Sequence, residues 1–123
     1  MAGRGVGRLK RRAEFLRVAA ARRKWAAEGL ILQAAAAELG LDAMPRIGFT
    51  VTRKLGNAVT RNRARRRLKA AAEQVMPAHA APGHDYVAIG RAATVARPFA
   101  LLVGDFETAL RRLKLWRPEG GIQ

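Results

Sequence analysis

The stretch Thr60 to Lys69, TRNRARRRLK, places six cationic side chains in ten positions with no acid among them. Side chains of this type bind phosphate. Of the chain's 24 cations, 19 are Arg, whose planar fork engages two phosphate oxygens at once and stacks on bases. The spacing is helical, with Thr60 read as the N-cap of a helix running to about Met76. In that register the cations crowd the opening turns, where the helix dipole carries about half a positive charge and prefers acids. The first-turn N–H groups add a further anion site. The stretch is frustrated alone, and bound phosphates would relieve it.

At about 100° per residue, Ala64, Leu68, Ala71 and Val75 form one buried stripe. Asn62, Arg66 and Lys69 cluster opposite. Arg65 flanks them on one side and Arg63 and Arg67 on the other, while Arg61 lies near the apolar edge. A solvated helix face would mix signs in pairs four apart. Here Glu73 is the only acid between Arg53 and Met76, which favours nucleic-acid contact. A second basic surface is expected on the first helix, from Arg8, Lys10, Arg11, Arg12, Arg17, Arg22, Arg23 and Lys24 around the lone acid Glu14. Phe15 within it is either a core residue or a platform for a nucleotide base.

Groups that would cut a polyanion are harder to find. Metal-assisted phosphoryl transfer needs clustered carboxylates, yet Asp105 and Glu107 point to different faces of a helix. His79 and His84 stand in a Pro/Ala/Gly-rich segment with only Asp85 nearby, a poor metal set. VTRKLGN is not a phosphate-binding loop. Cysteine is absent, which removes thiolate metal sites and thiol nucleophiles. The chain is expected to hold a polyanion and to have no catalytic residues and no metal site of its own.

Elements that position these residues follow from pattern. The 123 residues suit one domain, and a net charge of +15 with a pI near 11.9 argues for a polyanionic partner. No apolar run is long enough to span a membrane. Residues 1–8 read as a flexible basic arm; lacking Ser and Thr, the start is not read as a transit peptide. A helix is expected from Leu9 to about Arg23, a buried strand over Leu30–Ala37, and a hairpin loop over Glu38–Pro45. Arg46–Arg53 is a strand with Ile47, Phe49 and Val51 on one face and Gly48, Thr50 and Thr52 on the other, an open polar floor. KLGNAV is a turn and PAHAAPGH a loop. Asp85–Arg91 is a further strand, and a last helix begins at Pro98 with a stripe of Leu102, Phe106, Ala109, Leu110 and Leu113. Together these make one α+β domain.

Gly48 to Lys69, GFTVTRKLGNAVTRNRARRRLK, closely resembles the signature of the bacterial ribonuclease P protein family. LKRRAEFLRV is similar to that family's first helix, DYVAIGR to its last strand, and ATVARPFALLVGDFETALRRL to its closing helix, in the family's order and covering most of residues 9–115. The resemblance implies an αβββαβα sandwich over residues 9–116, followed by a tail at 117–123. That fold has a four-stranded mixed sheet, three helices and a left-handed βαβ crossover, of the type seen in the second domain of ribosomal protein S5. Its short first strand would lie around Arg23–Glu28. The resemblance also implies two partners: a large catalytic RNA, and precursor tRNA, whose 5′ leader that RNA removes with Mg²⁺ bound mainly by RNA and substrate. The protein would be a cytoplasmic monomer in a 1:1 complex. By position, Arg61, Asn62, Arg63, Arg65, Arg66 and Lys69 would bind the catalytic RNA. Phe15, Arg11, Arg12, Thr50, Thr52, Arg53 and Lys54 would line the leader cleft. Ala19 departs from relatives with a second aromatic there. The rival readings are a small basic ribosomal or RNA-chaperone protein, a DNA-binding regulator, which would want a helix-turn-helix, and a membrane-surface protein, which the small Ala-rich stripe fits worst.

Overall fold

The computed structural model describes residues 5–118. Its elements are β1 (Gly7–Arg8), α1 (Arg12–Ala20), β2 (Arg23–Ala26), β3 (Leu30–Ala36), β4 (Arg46–Thr50), α2 (Ala58–His79), β5 (His84–Gly90) and α3 (Phe99–Arg112). The strands form one mixed sheet in the order β1-β4-β5-β3-β2. β4 and β5 are parallel and joined through α2, whereas β3 runs antiparallel to both β5 and β2.

Period-2 alternation sorts the strand side chains onto two faces. Leu30, Leu32, Ala34, Ile47, Tyr86 and Ala88 meet Leu68, Ala71, Val75 and Met76 of α2 and Leu102, Phe106 and Leu110 of α3 in the main core. Both helical stripes read from the sequence are buried. Val87 and Ala35 point the other way, toward Leu9 and Val18, in a smaller cluster flanked by Phe15 and Ile89. The sheet is thus covered by two helices on one face and by the nine-residue α1 on the other.

Several boundaries differ from expectation, each for a tertiary reason. The sheet has five strands rather than four, because Gly7–Arg8 pairs with Arg46–Ile47. Gly7 N donates to Pro45 O at 2.8 Å and Leu9 N to Ile47 O at 3.0 Å, so the end of the expected arm is pinned; residues 1–4 lie outside the described residues. The expected first helix shortens at both ends. Leu9 is extended and buried, and Glu14 Oε1 captures the N–H groups of Lys10 and Arg11 at 2.9 Å each. Glu38–Pro45 is no hairpin, since β5 lies between β3 and β4. Asn57, not Thr60, caps α2: its Oδ1 accepts from Thr60 N at 2.9 Å. The helix also continues past Met76 and through Pro77 to His79. The first α2 cation, Arg61, therefore stands fourth in the helix, and the conflict with the dipole is milder than the sequence suggested.

Electrostatics holds α1 to the sheet. Asp85, with a fully buried side chain on β5, accepts from Arg46 Nε at 3.0 Å and Nη2 at 2.8 Å and from Arg17 Nη2. Arg17 Nη1 also donates to Ala36 O at 2.9 Å. Arg46 Nη1 reaches Glu14 Oε2 at 3.0 Å. The Arg11 and Lys10 backbone N–H groups, helped by Arg46, hold the Glu14 carboxyl at about 2, down from its ordinary 4.5. A second knot joins the β2–β3 turn to α3. Gly29 N donates to Asp105 Oδ2 at 2.9 Å, and Arg97 binds the same carboxylate at 2.6 and 3.1 Å. A Cβ at Gly29 would lie 2.5 Å from that oxygen.

Two consequences are measurable. Asp85→Asn leaves two guanidiniums short of a counter-charge while they keep some access to water, and should lower unfolding free energy by about 2–3 kcal/mol in urea titration. Because Glu14 is more acidic folded than unfolded, its contribution is complete above about pH 4.5 and fades as pH falls toward 2. Glu14→Gln should flatten that part of the acid-unfolding curve.

Candidate nucleic-acid interface

The buried stripe of α2 fixes what its other face shows. Ala64, Leu68, Ala71 and Val75 pack inward, leaving Asn62, Arg63 and Arg66 exposed and Arg61, Arg65 and Lys69 half-buried along their stems. Arg65 Nη1 donates to Asn62 Oδ1 at 3.3 Å, and Arg61 Nη1 to Gly56 O at 3.2 Å. These bonds orient the guanidiniums without neutralising them. Among the described residues, ion pairs engage Arg17, Arg46 and Arg97 only, so every cation of α2 lacks an acidic partner. Arg67 differs from its neighbours. It donates to Thr94 O at 2.9 Å and to Arg97 O, beside the Phe99 ring, and so braces the segment before α3 instead of facing outward.

β4 leads straight into this surface. Thr50 is half-buried, and Thr52, Arg53 and Lys54 are exposed on the short 3-10 turn that precedes the Asn57 cap. On the α1 side of the sheet, Phe15 rests on Gly48, where an added Cβ would lie 2.4 Å from the ring's Cζ. Phe15 is neither simply core nor simply platform. It is half-buried, one flank against the small cluster and its tip over the strand. Beyond it, register aligns Ala26, Ile31, Ile89 and Thr50 across four strands. This row is the exposed or half-buried floor of a cleft beside α1. Arg11 and Arg12 are exposed at the start of α1, just after Leu9 is tied to Ile47. The cleft residues named from the sequence thus gather along β4 and the start of α1, and the α2 group continues from them.

Other singled-out groups serve elsewhere. His79 Nδ1 lies 2.6 Å from Arg117 O, with its ring stacked on Trp116, and His84 Nδ1 lies 3.0 Å from Pro82 O. Among the described residues, no group of three or more His, Asp or Glu is placed to hold a metal ion, and no helix is long and apolar enough to cross a membrane. Sequence reading missed Arg46 and Asp85, which set the position of α1. A usable signal was present: in a chain with only nine acids, an acid inside a strand and a lone acid inside a basic helix point to structural partners.

The sequence model of the ribonuclease P family matches residues 5–114. The chain belongs to the ribonuclease P protein family. It is 60% identical over 111 residues to the ribonuclease P protein component of Paramagnetospirillum magneticum, covering 88% of this chain and 83% of that one. The Gluconacetobacter diazotrophicus protein component is 53% identical over 106 residues, covering 85% and 89%. The fold is similar to that of the Staphylococcus aureus RNase P protein, with a TM-score of 0.74 at 24% identity over 89% and 97% of the two chains. The Thermotoga maritima RNase P protein gives 0.66 at 23% identity over 87% and 94%. These structural likenesses concern the fold; the family assignment rests on the sequence matches.

Gly48→Ala tests the cleft directly. The new methyl cannot share space with Phe15, so the ring must swing off the strand. Repacking should cost about 1–3 kcal/mol, and the intrinsic fluorescence of a Phe15→Trp probe should shift toward that of an exposed indole when Gly48→Ala is added.

Proposed function

We propose that this chain is the RNA-positioning subunit of ribonuclease P, in which a partner RNA carries the catalysis and the protein none of it. The observation that carries the reading is the outer face of α2, where Arg61, Asn62, Arg63, Arg65, Arg66 and Lys69 meet no acid and stand next to a cleft floored by Gly48 and Thr50. In this reading α2 lies along the phosphates of the catalytic RNA. The single-stranded 5′ leader of precursor tRNA runs through the cleft, over Phe15 and Thr50, toward Thr52, Arg53 and Lys54, with Arg11 and Arg12 on its flank. A leader base stacked on Phe15 would gain contact without sequence preference. In this reading Mg²⁺ would be held mainly by oxygens of RNA and substrate and would supply the metal-ion chemistry of cleavage there, with no residue of this chain assigned as its ligand. The subunit's part is to neutralise phosphate repulsion and orient the leader, which lowers the Mg²⁺ needed for cleavage. One protein per RNA, in the cytoplasm, completes the proposal.

Reconstitution with a transcribed bacterial ribonuclease P RNA tests it. The protein should accelerate precursor-tRNA cleavage at low Mg²⁺, and a missing stimulation would defeat the assignment in favour of a general RNA-binding or chaperone role. If about six to ten phosphates are contacted, affinity should fall by about 10³–10⁵ between about 50 and 200 mM salt. Arg65→Gln with Arg66→Gln should weaken RNA binding by about tenfold or more while leaving the melting temperature nearly unchanged. A loss of fold instead would assign these side chains to structure.

A further inference from the structure

Among the described residues, two other than glycine adopt left-handed backbone: Arg22 at φ 57° and Lys114 at φ 64°. Each follows the C-cap residue of a helix, Ala21 after α1 and Leu113 after α3. Glycine is the usual occupant of that position, because a Cβ crowds the neighbouring carbonyl in this conformation. Here both positions hold a cation. Their chain neighbours are tied together. Arg23 Nη2 donates to Leu113 O at 2.7 Å, so Arg22 and Lys114 each stand one residue from the same contact.

The surroundings are basic and aromatic. Arg112 lies 5.3 Å from the Trp25 ring centroid and Arg111 lies 4.0 Å from that of Trp116. Trp25 is 37% exposed on the edge strand β2, all four of whose residues face solvent. Lys24 extends the patch to the other face of that edge, opposite Gln33. None of Arg22, Lys24, Arg111, Arg112 or Lys114 forms an ion pair. Edge protection accounts for a lysine on β2, and the α3 dipole for cations near its end. The dipole favours a cation at both helix ends, but here the cation is kept against the strain that glycine would relieve, and neither effect calls for a tryptophan beside each arginine.

The patch is remote from the α2 tract. Trp25 aligns with Leu32, Ala88 and Phe49, so the patch lies on the opposite edge of the sheet, three strands across from the β4 that leads into the α2 tract. Along α2, His79, stacked on Trp116, lies more than three turns beyond Arg66, or about 20 Å. Lys24 shares the cleft's face with Ala26, but Trp25, with Arg112 over its ring, lies on the α3 face of the sheet; a leader confined to the cleft does not cover both faces, and a large folded RNA can.

We infer that the surface formed by Arg22, Lys24, Trp25, Arg112 and Lys114 docks the phosphate backbone of a second segment of the same large RNA that α2 engages. The inference rests on the ribonuclease P reading for the identity of that RNA. The cations supply phosphate contacts, and Trp25 supplies a flat face for a base or ribose at the edge of the contact.

The test separates charge from fold. The full-length chain and the double variant Arg22→Gly/Lys114→Gly are titrated with transcribed ribonuclease P RNA across a salt series, with and without precursor tRNA, and both proteins are melted alone. The variant should melt at the same or a higher temperature, bind the RNA about tenfold more weakly at low salt, and show a salt slope smaller by about two. Arg22→Asn/Lys114→Asn, which also tolerates the left-handed backbone, should lose binding to the same extent. Unchanged affinity and slope in both variants, with the parent chain binding normally, would overturn this inference alone. A deficit seen only with precursor tRNA present would assign the surface to the substrate and overturn it as stated. A glycine variant that melts lower than the parent would refute the strain argument. If the parent chain itself does not bind the RNA, the ribonuclease P reading fails and this inference fails with it.

Discussion

The arrangement turns on one buried carboxylate. Asp85 sits with its side chain fully inaccessible between Arg17 of α1 and Arg46 of β4. Desolvating an isolated carboxylate costs several kcal/mol or more, so the aspartate is tolerable in the sheet only while both guanidiniums are in place. That condition fixes α1. Held through Arg17, and through Glu14 onto Arg46, the helix has one docking position, and in that position Phe15 falls on Gly48. The cleft is therefore a by-product of an electrostatic lock. A hydrophobic contact as small as the Leu9, Val18, Ala35 and Val87 cluster would leave so short a helix freer to slide.

The same lock divides the cations into two populations. Arg17, Arg46 and Arg97 are bound to carboxylates, while Arg23, Arg67 and Arg91 are bound to backbone carbonyls of segments distant in the chain; these belong to the fold. Those of α2, of the turn before it and of the β2 edge have no acid to meet. With 24 cations against nine acids, an excess is unavoidable, and what matters is its placement. It is concentrated where the backbone is most regular, so the charges are held in a fixed pattern before any partner arrives. Less conformational entropy is then lost on binding.

What could be read in advance follows the same logic. Strands β4 and β5 and the stripes of α2 and α3 were legible because each repeats a period over several residues against a continuous core. β1 was not, since two residues carry no period and their pairing depends on Arg46 arriving from elsewhere. The Glu38–Pro45 connection has the composition of a hairpin, but strand order is decided by β5, which lies forty residues further on. Asn57 and Thr60 are both acceptable caps; Asn57 serves because its side-chain Oδ1 accepts from Thr60 N. Within the basic tract, Arg66 and Arg67 are chemically identical. Only the carbonyls of Thr94 and Arg97, placed by tertiary structure, turn one into a brace and leave the other free. The outward face of α2 was thus readable from sequence; the carbonyls that draw Arg67 to the fold were not.

Salt acts in opposite directions on the two charge populations. The unpaired cations repel one another across the α2 face and the β2 edge, and this self-repulsion weakens the free protein's compact state. Added salt screens exposed charges over about 8–10 Å and relieves it. The buried Asp85 lock is screened far less, so the fold keeps its main electrostatic contribution while losing an electrostatic penalty. A polyphosphate partner reverses the balance, because binding releases counterions and added salt then opposes the complex. A basic protein of this construction is consequently more comfortable alone at high ionic strength and more comfortable bound at low. The partner completes a charge balance that the folded chain leaves open at its surface.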